Sequence, residues 1–85
     1  MNLKEAKQIF EDIADLCSKI DDHRLNEALE SIYREVDESD NISDILELLS
    51  DLMFYVDEVT WDDEDIEDLK SEIQELYNKF QDEAE

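Results

Sequence analysis

Apolar residues recur every three or four positions along most of this chain. The first run is Leu3, Ala6, Phe10, Ile13, Cys17 and Ile20, with Ile9 and Leu16 beside it. The second is Leu25, Leu29, Ile32 and Val36, with Ala28 and Tyr33. The third is Ile42, Ile45, Leu49, Leu52 and Val56, and the fourth is Ile66, Leu69, Ile73, Leu76 and Phe80, with Tyr77. Steps of three and four return to one side of a helix, whereas a half-buried strand would alternate. The pattern predicts four amphipathic helices, over Leu3–Ile20, Asp22–Glu38, Asn41–Asp57 and Asp62–Glu83.

The segments between the runs carry capping chemistry. Asp21 or Asp22 can accept the orphan N–H groups of the second helix, and Ser39, Asp40 or Asn41 those of the third. With Asp62 as N-cap of the fourth, Trp61 and Ile66 take the two positions of a hydrophobic staple. The break at "IDDHR" is the weakest, so the first two helices can also be read as one kinked helix. Gly and Pro are both absent, which disfavours hairpin-rich sheets and loop-rich folds. Eighty-five residues suit one domain, 1–85, with a single modest core. The expected fold is all-α: a small antiparallel bundle of four helices, or of three if the first two are continuous.

Charge adds a second pattern to the first. The formal net charge is −21. From Met1 to Arg34, five Lys or Arg meet eight Asp or Glu, a net of −3. From Glu35 to Leu69 there are fifteen Asp or Glu and no Lys or Arg, a net of −15. From Lys70 to Glu85, two Lys meet five acids, again −3. High charge with few apolar residues marks disorder, but 41% apolar content at helical spacing argues for a folded chain. Nucleic acid and anionic membranes would repel such a surface, and basic protein surfaces would attract it. "LMFYV", the longest apolar run, falls far short of the roughly 20 residues of a bilayer span. The lone Cys17 permits no internal disulfide and suits a reducing compartment. The opening "MNLKEAKQIFED" is too polar for a secretion signal, so a cytoplasmic location is expected.

The densest stretch is "DEVTWDDEDIEDL", Asp57 to Leu69, in which eight of thirteen residues are acidic. Acids in a first helical turn are favoured by the macrodipole at roughly 0.3–1 kcal/mol each. That accounts for two or three of them and leaves thirty-five residues without a lysine or arginine unexplained. Asp65, Asp68, Glu72, Glu75 and Asp82 share one face of the predicted fourth helix, with Lys79 among them. Neighbours at this spacing lie roughly 5–6 Å apart. The row resembles an edge of a nucleic-acid backbone in charge and repeat, the pattern used by proteins that mimic DNA. The plain alternative is a solvated acidic face. On the third helix, Phe54 falls among Glu47, Ser50 and Asp51, opposite the apolar stripe. An aromatic ringed by polar groups is a candidate anchor for a partner or for a homodimer.

"EALE", Glu27 to Glu30, followed by "ELLSDLMFYV", Glu47 to Val56, is similar to the MazG-like nucleotide pyrophosphohydrolases. Those all-α enzymes hold Mg²⁺ with an E-x-x-E pair on one helix and an E-x-x-D pair on the next. The resemblance implies Glu27, Glu30 and Asp51 as ligands. It departs at Leu48, where the second pair needs Glu, and Glu47 lies about 100° around the helix from that position.

Asp21, Asp22 and His23 are adjacent and point in different directions, and the acidic stretch lacks the Gly-containing loop of an EF-hand. No catalytic residue, metal or cofactor is therefore expected. The expected function is a non-catalytic interaction module that binds a basic surface, with a DNA-mimic inhibitor as its most specific form. The candidate partner-binding residues are Glu47, Asp51, Phe54, Asp57, Glu58, Asp62, Asp63, Asp65, Asp68, Glu72 and Glu75.

Overall fold

The computed structural model describes residues 1–61 and 64–84. Four helices follow one another: α1 (Leu3–Cys17), α2 (His23–Glu38), α3 (Ile42–Val59) and α4 (Glu67–Ala84). The chain is a small all-α bundle. Helix α2 packs on α3 and α1 on α4, and α1 also reaches α3 across the bundle. Antiparallel order is visible in individual contacts. Lys7, near the start of α1, donates to the Asp37 carbonyl at the end of α2 (2.9 Å). Asp57, near the end of α3, meets Lys70, near the start of α4 (3.7 Å). The radius of gyration is 12.1 Å, matching the roughly 12 Å expected of a compact chain of this length.

The predicted apolar faces are the buried ones. Phe10, Ile13 and Cys17 of α1 meet Leu25, Ile32 and Val36 of α2, with Ile45, Leu49, Leu52 and Val56 of α3 and Ile73 and Phe80 of α4. Each helix alone would leave its stripe wet. Burying a large aliphatic or aromatic side chain contributes about 1.5–3 kcal/mol, and this sum opposes the entropy of ordering the chain. Among the described residues, no helix is long and apolar enough to cross a membrane.

Local chemistry fixes the helix starts. The Asn2 side chain accepts from the Glu5 N–H (2.8 Å), the Asp22 side chain from Leu25 (3.1 Å), and the Asn41 side chain from Ser43 (2.8 Å). The break between the first two helices is therefore real. Helix α1 ends three residues earlier than its apolar run, because Lys19 and Ile20 bond back to Leu16 and Cys17 in tighter i→i+3 turns. Ile20 still reaches the core.

The fourth helix departs most from the sequence pattern. It begins at Glu67 rather than after Asp62, and Glu64–Ile66 form turns before it. A helix through these positions would stack Glu64 over Glu67 and Asp68, and Asp65 over Asp68. Like charges at such spacing oppose helix formation. The staple is not formed: Ile66 precedes the helix and Trp61 is 81% exposed. Asp62, expected as its cap, lies outside the described residues. Upstream, α3 runs on to Val59, and the buried Thr60 donates its hydroxyl to the Val56 carbonyl.

Burial pushes the Cys17 thiol up to about 12 by disfavouring its charged form. The thiolate is the reactive species. Ellman's reagent should therefore modify Cys17 very slowly in the native protein and within seconds in urea. Equal rates in the two conditions would place Cys17 at the surface.

Candidate functional site

The outer face of α3 is bounded by two flanks. On one, Ser50 and Tyr77 of α4 share a hydroxyl–hydroxyl bond (2.6 Å), and Asp57 pairs with Lys70. On the other, Leu48 and Tyr55 line a groove against α2. Between them Phe54 stands 69% exposed. Its ring meets that of Tyr55, itself 39% exposed, edge to face, with centroids 6.4 Å apart at 82°. An edge-to-face contact of this kind contributes about 0.5–1.5 kcal/mol beyond the area it buries.

The groove between α2 and α3 encloses about 590 Å³. Ala28, Ile32 and Leu48 give it an apolar floor, Glu35, Asp51 and Glu58 line its walls, and Ser31, Phe54 and Tyr55 complete it. A second groove of about 450 Å³ shares Glu35, Leu48 and Asp51 with it and adds Glu38, Asp44 and Glu47. The two form one surface with six carboxylates from two helices. Among the described residues, no lysine or arginine lines either groove.

Helix α4 carries its acids elsewhere. Lys70 and Tyr77 mark its flank toward α3. Asp68 and Glu75 lie two residues before them, about 200° around the helix. Asp68, Glu72, Glu75 and Asp82 are exposed, and this spacing turns them away from the flank that meets α3. Asp65 is not on the helix but in the turn before it. Near that turn, Trp61, Glu64, Glu67 and Lys70 line a separate opening of about 560 Å³. The eleven candidate residues are thus distributed over more than one surface. Glu47, Asp51, Phe54 and Glu58 come together, Asp57 pairs with Lys70, and Asp68, Glu72 and Glu75 form a row of their own. Asp62 and Asp63 lie outside the described residues.

Glu35, Glu38 and Asp44 join the α2–α3 surface although the sequence pattern did not single them out. Their signal was the lysine-free run beginning at Glu35, combined with the short connection that folds the end of α2 against the start of α3.

The three residues implied by the MazG resemblance do not meet. Glu27 pairs with His23 across one helical turn (3.2 Å). Glu30 lines a groove between α1 and α2, beside Glu11 and Tyr33. Asp51 lies in the α2–α3 groove, on the other side of α2. Among the described residues, no three or more His, Cys, Asp or Glu side chains group so as to hold a metal ion. On the α1–α2 side, Tyr33 instead donates to the Glu11 carboxylate (2.8 Å), which raises its phenol above the ordinary value. Its ring leans on Phe10, with centroids 5.7 Å apart.

No protein-family model, curated protein or solved structure matches this chain.

Crowding six carboxylates on two helices costs stability through self-repulsion. Salt shortens the reach of that repulsion from about 30 Å at 0.01 M to about 8 Å at 0.15 M. The melting temperature, followed by circular dichroism, should rise across this range. A constant midpoint would show that the acids are too far apart to interact.

Proposed function

We propose that this protein is a non-catalytic interaction module that binds a basic surface of another protein through the outer face of α2 and α3. One observation carries the reading: Glu35, Glu38, Asp44, Glu47, Asp51 and Glu58 line adjoining grooves without a lysine or arginine among them. A surface that serves solubility alone mixes both signs and so relieves its own repulsion. Here neutralisation is left to the partner. At a net charge of −21, a second copy of the chain is a poor occupant of this face at low salt.

A partner that normally holds nucleic acid is the sharpest form of the proposal. Its lysines and arginines are spaced for phosphates, and carboxylates three and four residues apart on a helix supply a comparable row of charge. Binding would then exclude nucleic acid from that partner and inhibit it.

The test is affinity capture at low salt with the intact chain as bait. The expected partner is basic, leaves the bait as NaCl rises, and is displaced by duplex DNA. A salt-sensitive partner that DNA does not displace would retain the acidic-ligand reading and remove DNA mimicry. Mg²⁺-dependent release of pyrophosphate from a nucleoside triphosphate would overturn the non-catalytic reading.

A further inference from the structure

We propose that the α2–α3 groove receives one amphipathic, basic helical segment of the partner, with apolar side chains on its floor and lysines or arginines against its walls. The inference rests on the acidic-surface reading and adds to it the shape and chemistry of the occupant. A surface that only imitates phosphates needs charge and no apolar contact. This groove has both. Ala28, Ile32 and Leu48 lie at its base, and Phe54 and Tyr55 are two of the four large exposed hydrophobic side chains among the described residues. Aromatic anchors set among polar groups are the usual centres of binding energy at protein interfaces.

The walls say which apolar segment is accepted. Glu35 stands on the α2 side, and Asp51 and Glu58 on the α3 side. An uncharged or acidic helix would bury these carboxylates unpaired, at a high desolvation cost. Lysine or arginine on both flanks of an apolar stripe pairs with them, and the long stems of these residues add apolar contact. The dimensions agree. The groove runs from Leu48 to Glu58 along α3, about 15 Å at 1.5 Å per residue. That length matches two to three turns of a docked helix, whose i, i+3, i+4 and i+7 positions supply the anchors.

Two synthetic peptides of equal positive charge and equal composition separate the alternatives. One places leucine at i, i+3, i+4 and i+7 with lysine and arginine between, and the other scrambles that order. Each is titrated into the ¹⁵N-labelled full chain at low and physiological salt. The patterned peptide should bind roughly thirtyfold more tightly than the scrambled one, the smallest difference that marks one hot-spot anchor. Shifted amides should cluster at 28–35 and 48–58. Phe54→Ala and Tyr55→Ala should each reduce the affinity of the patterned peptide severalfold and leave the scrambled one unchanged. Circular dichroism verifies that both variants remain folded. Equal affinities, or shifts centred on α4, would overturn the groove proposal. If both peptides bind equally at 28–35 and 48–58, the acidic-surface reading survives without it. If neither binds at low salt, both readings fall.

Discussion

Phe80→Ala is expected to leave a large fraction of the protein unfolded at 37 °C, while Phe54→Ala leaves its melting curve nearly unchanged. The two substitutions remove the same atoms. Phe80 is fully buried in the core, and Phe54 is 69% exposed. Truncating a buried Phe costs about 3–5 kcal/mol in lost transfer energy and residual cavity. A domain of 85 residues has roughly 4–13 kcal/mol of stability in total, at 0.05–0.15 kcal/mol per residue. Self-repulsion at a net charge of −21 moves this protein toward the lower end. An exposed truncation away from the core falls within about 0.5 kcal/mol. Urea melts of the two variants measure the contrast. Comparable losses would mean that the face of α3 carrying Phe54 is packed rather than open.

The second large effect is on binding. Glu35→Gln, Asp51→Asn and Glu58→Gln together remove three charges from the α2–α3 groove. Complementary charge raises association rates from about 10⁵–10⁶ M⁻¹s⁻¹ toward 10⁸–10⁹ M⁻¹s⁻¹ at low salt. The triple variant should therefore associate with its basic partner roughly ten- to a hundredfold more slowly at low ionic strength. At high salt the gap between variant and wild type should narrow, because screening already removes what the substitutions remove. The variant should also melt higher than wild type, since it relieves repulsion within the groove. Slower binding together with greater stability is the signature of a surface whose charge is kept for a partner.

The fold was legible to the extent that burial depends on local periodicity. Ile13, Leu25, Leu49 and Phe80 belong to runs with steps of three and four, and each is in the core. The caps at Asp22 and Asn41 were within reach for the same reason, because capping joins residues two or three positions apart. The start of α4 was not. An apolar stripe anchored at Ile66 suggested an earlier beginning, but the stripe takes no account of the repulsion among Glu64, Asp65, Glu67 and Asp68.

The candidate surface was legible in its charge and not in its membership. Reading along the chain joined Asp57 to Asp68 and Glu75 because they are near in sequence. Folding turns the α4 row away from α3, as the Lys70 and Tyr77 contacts show. It brings Glu35 instead into the same groove as Asp51, sixteen positions later in the chain. Which of two acidic helices lies beside α3 on its outer face is a property of the tertiary arrangement, and no local spacing encodes it.

The most direct test of the account compares two neutralised variants that differ only in place. One carries Glu35→Gln, Asp51→Asn and Glu58→Gln, and the other Asp68→Asn, Glu72→Gln and Glu75→Gln. Each removes three charges, so their net charges are equal. The measurement is the rate of association with the captured basic partner at two NaCl concentrations. A large, salt-sensitive loss is expected for the α2–α3 variant and only a small loss for the α4 variant. Equal losses in both variants would mean that net charge alone attracts the partner, and no loss in the first would mean that the α2–α3 face does not bind it.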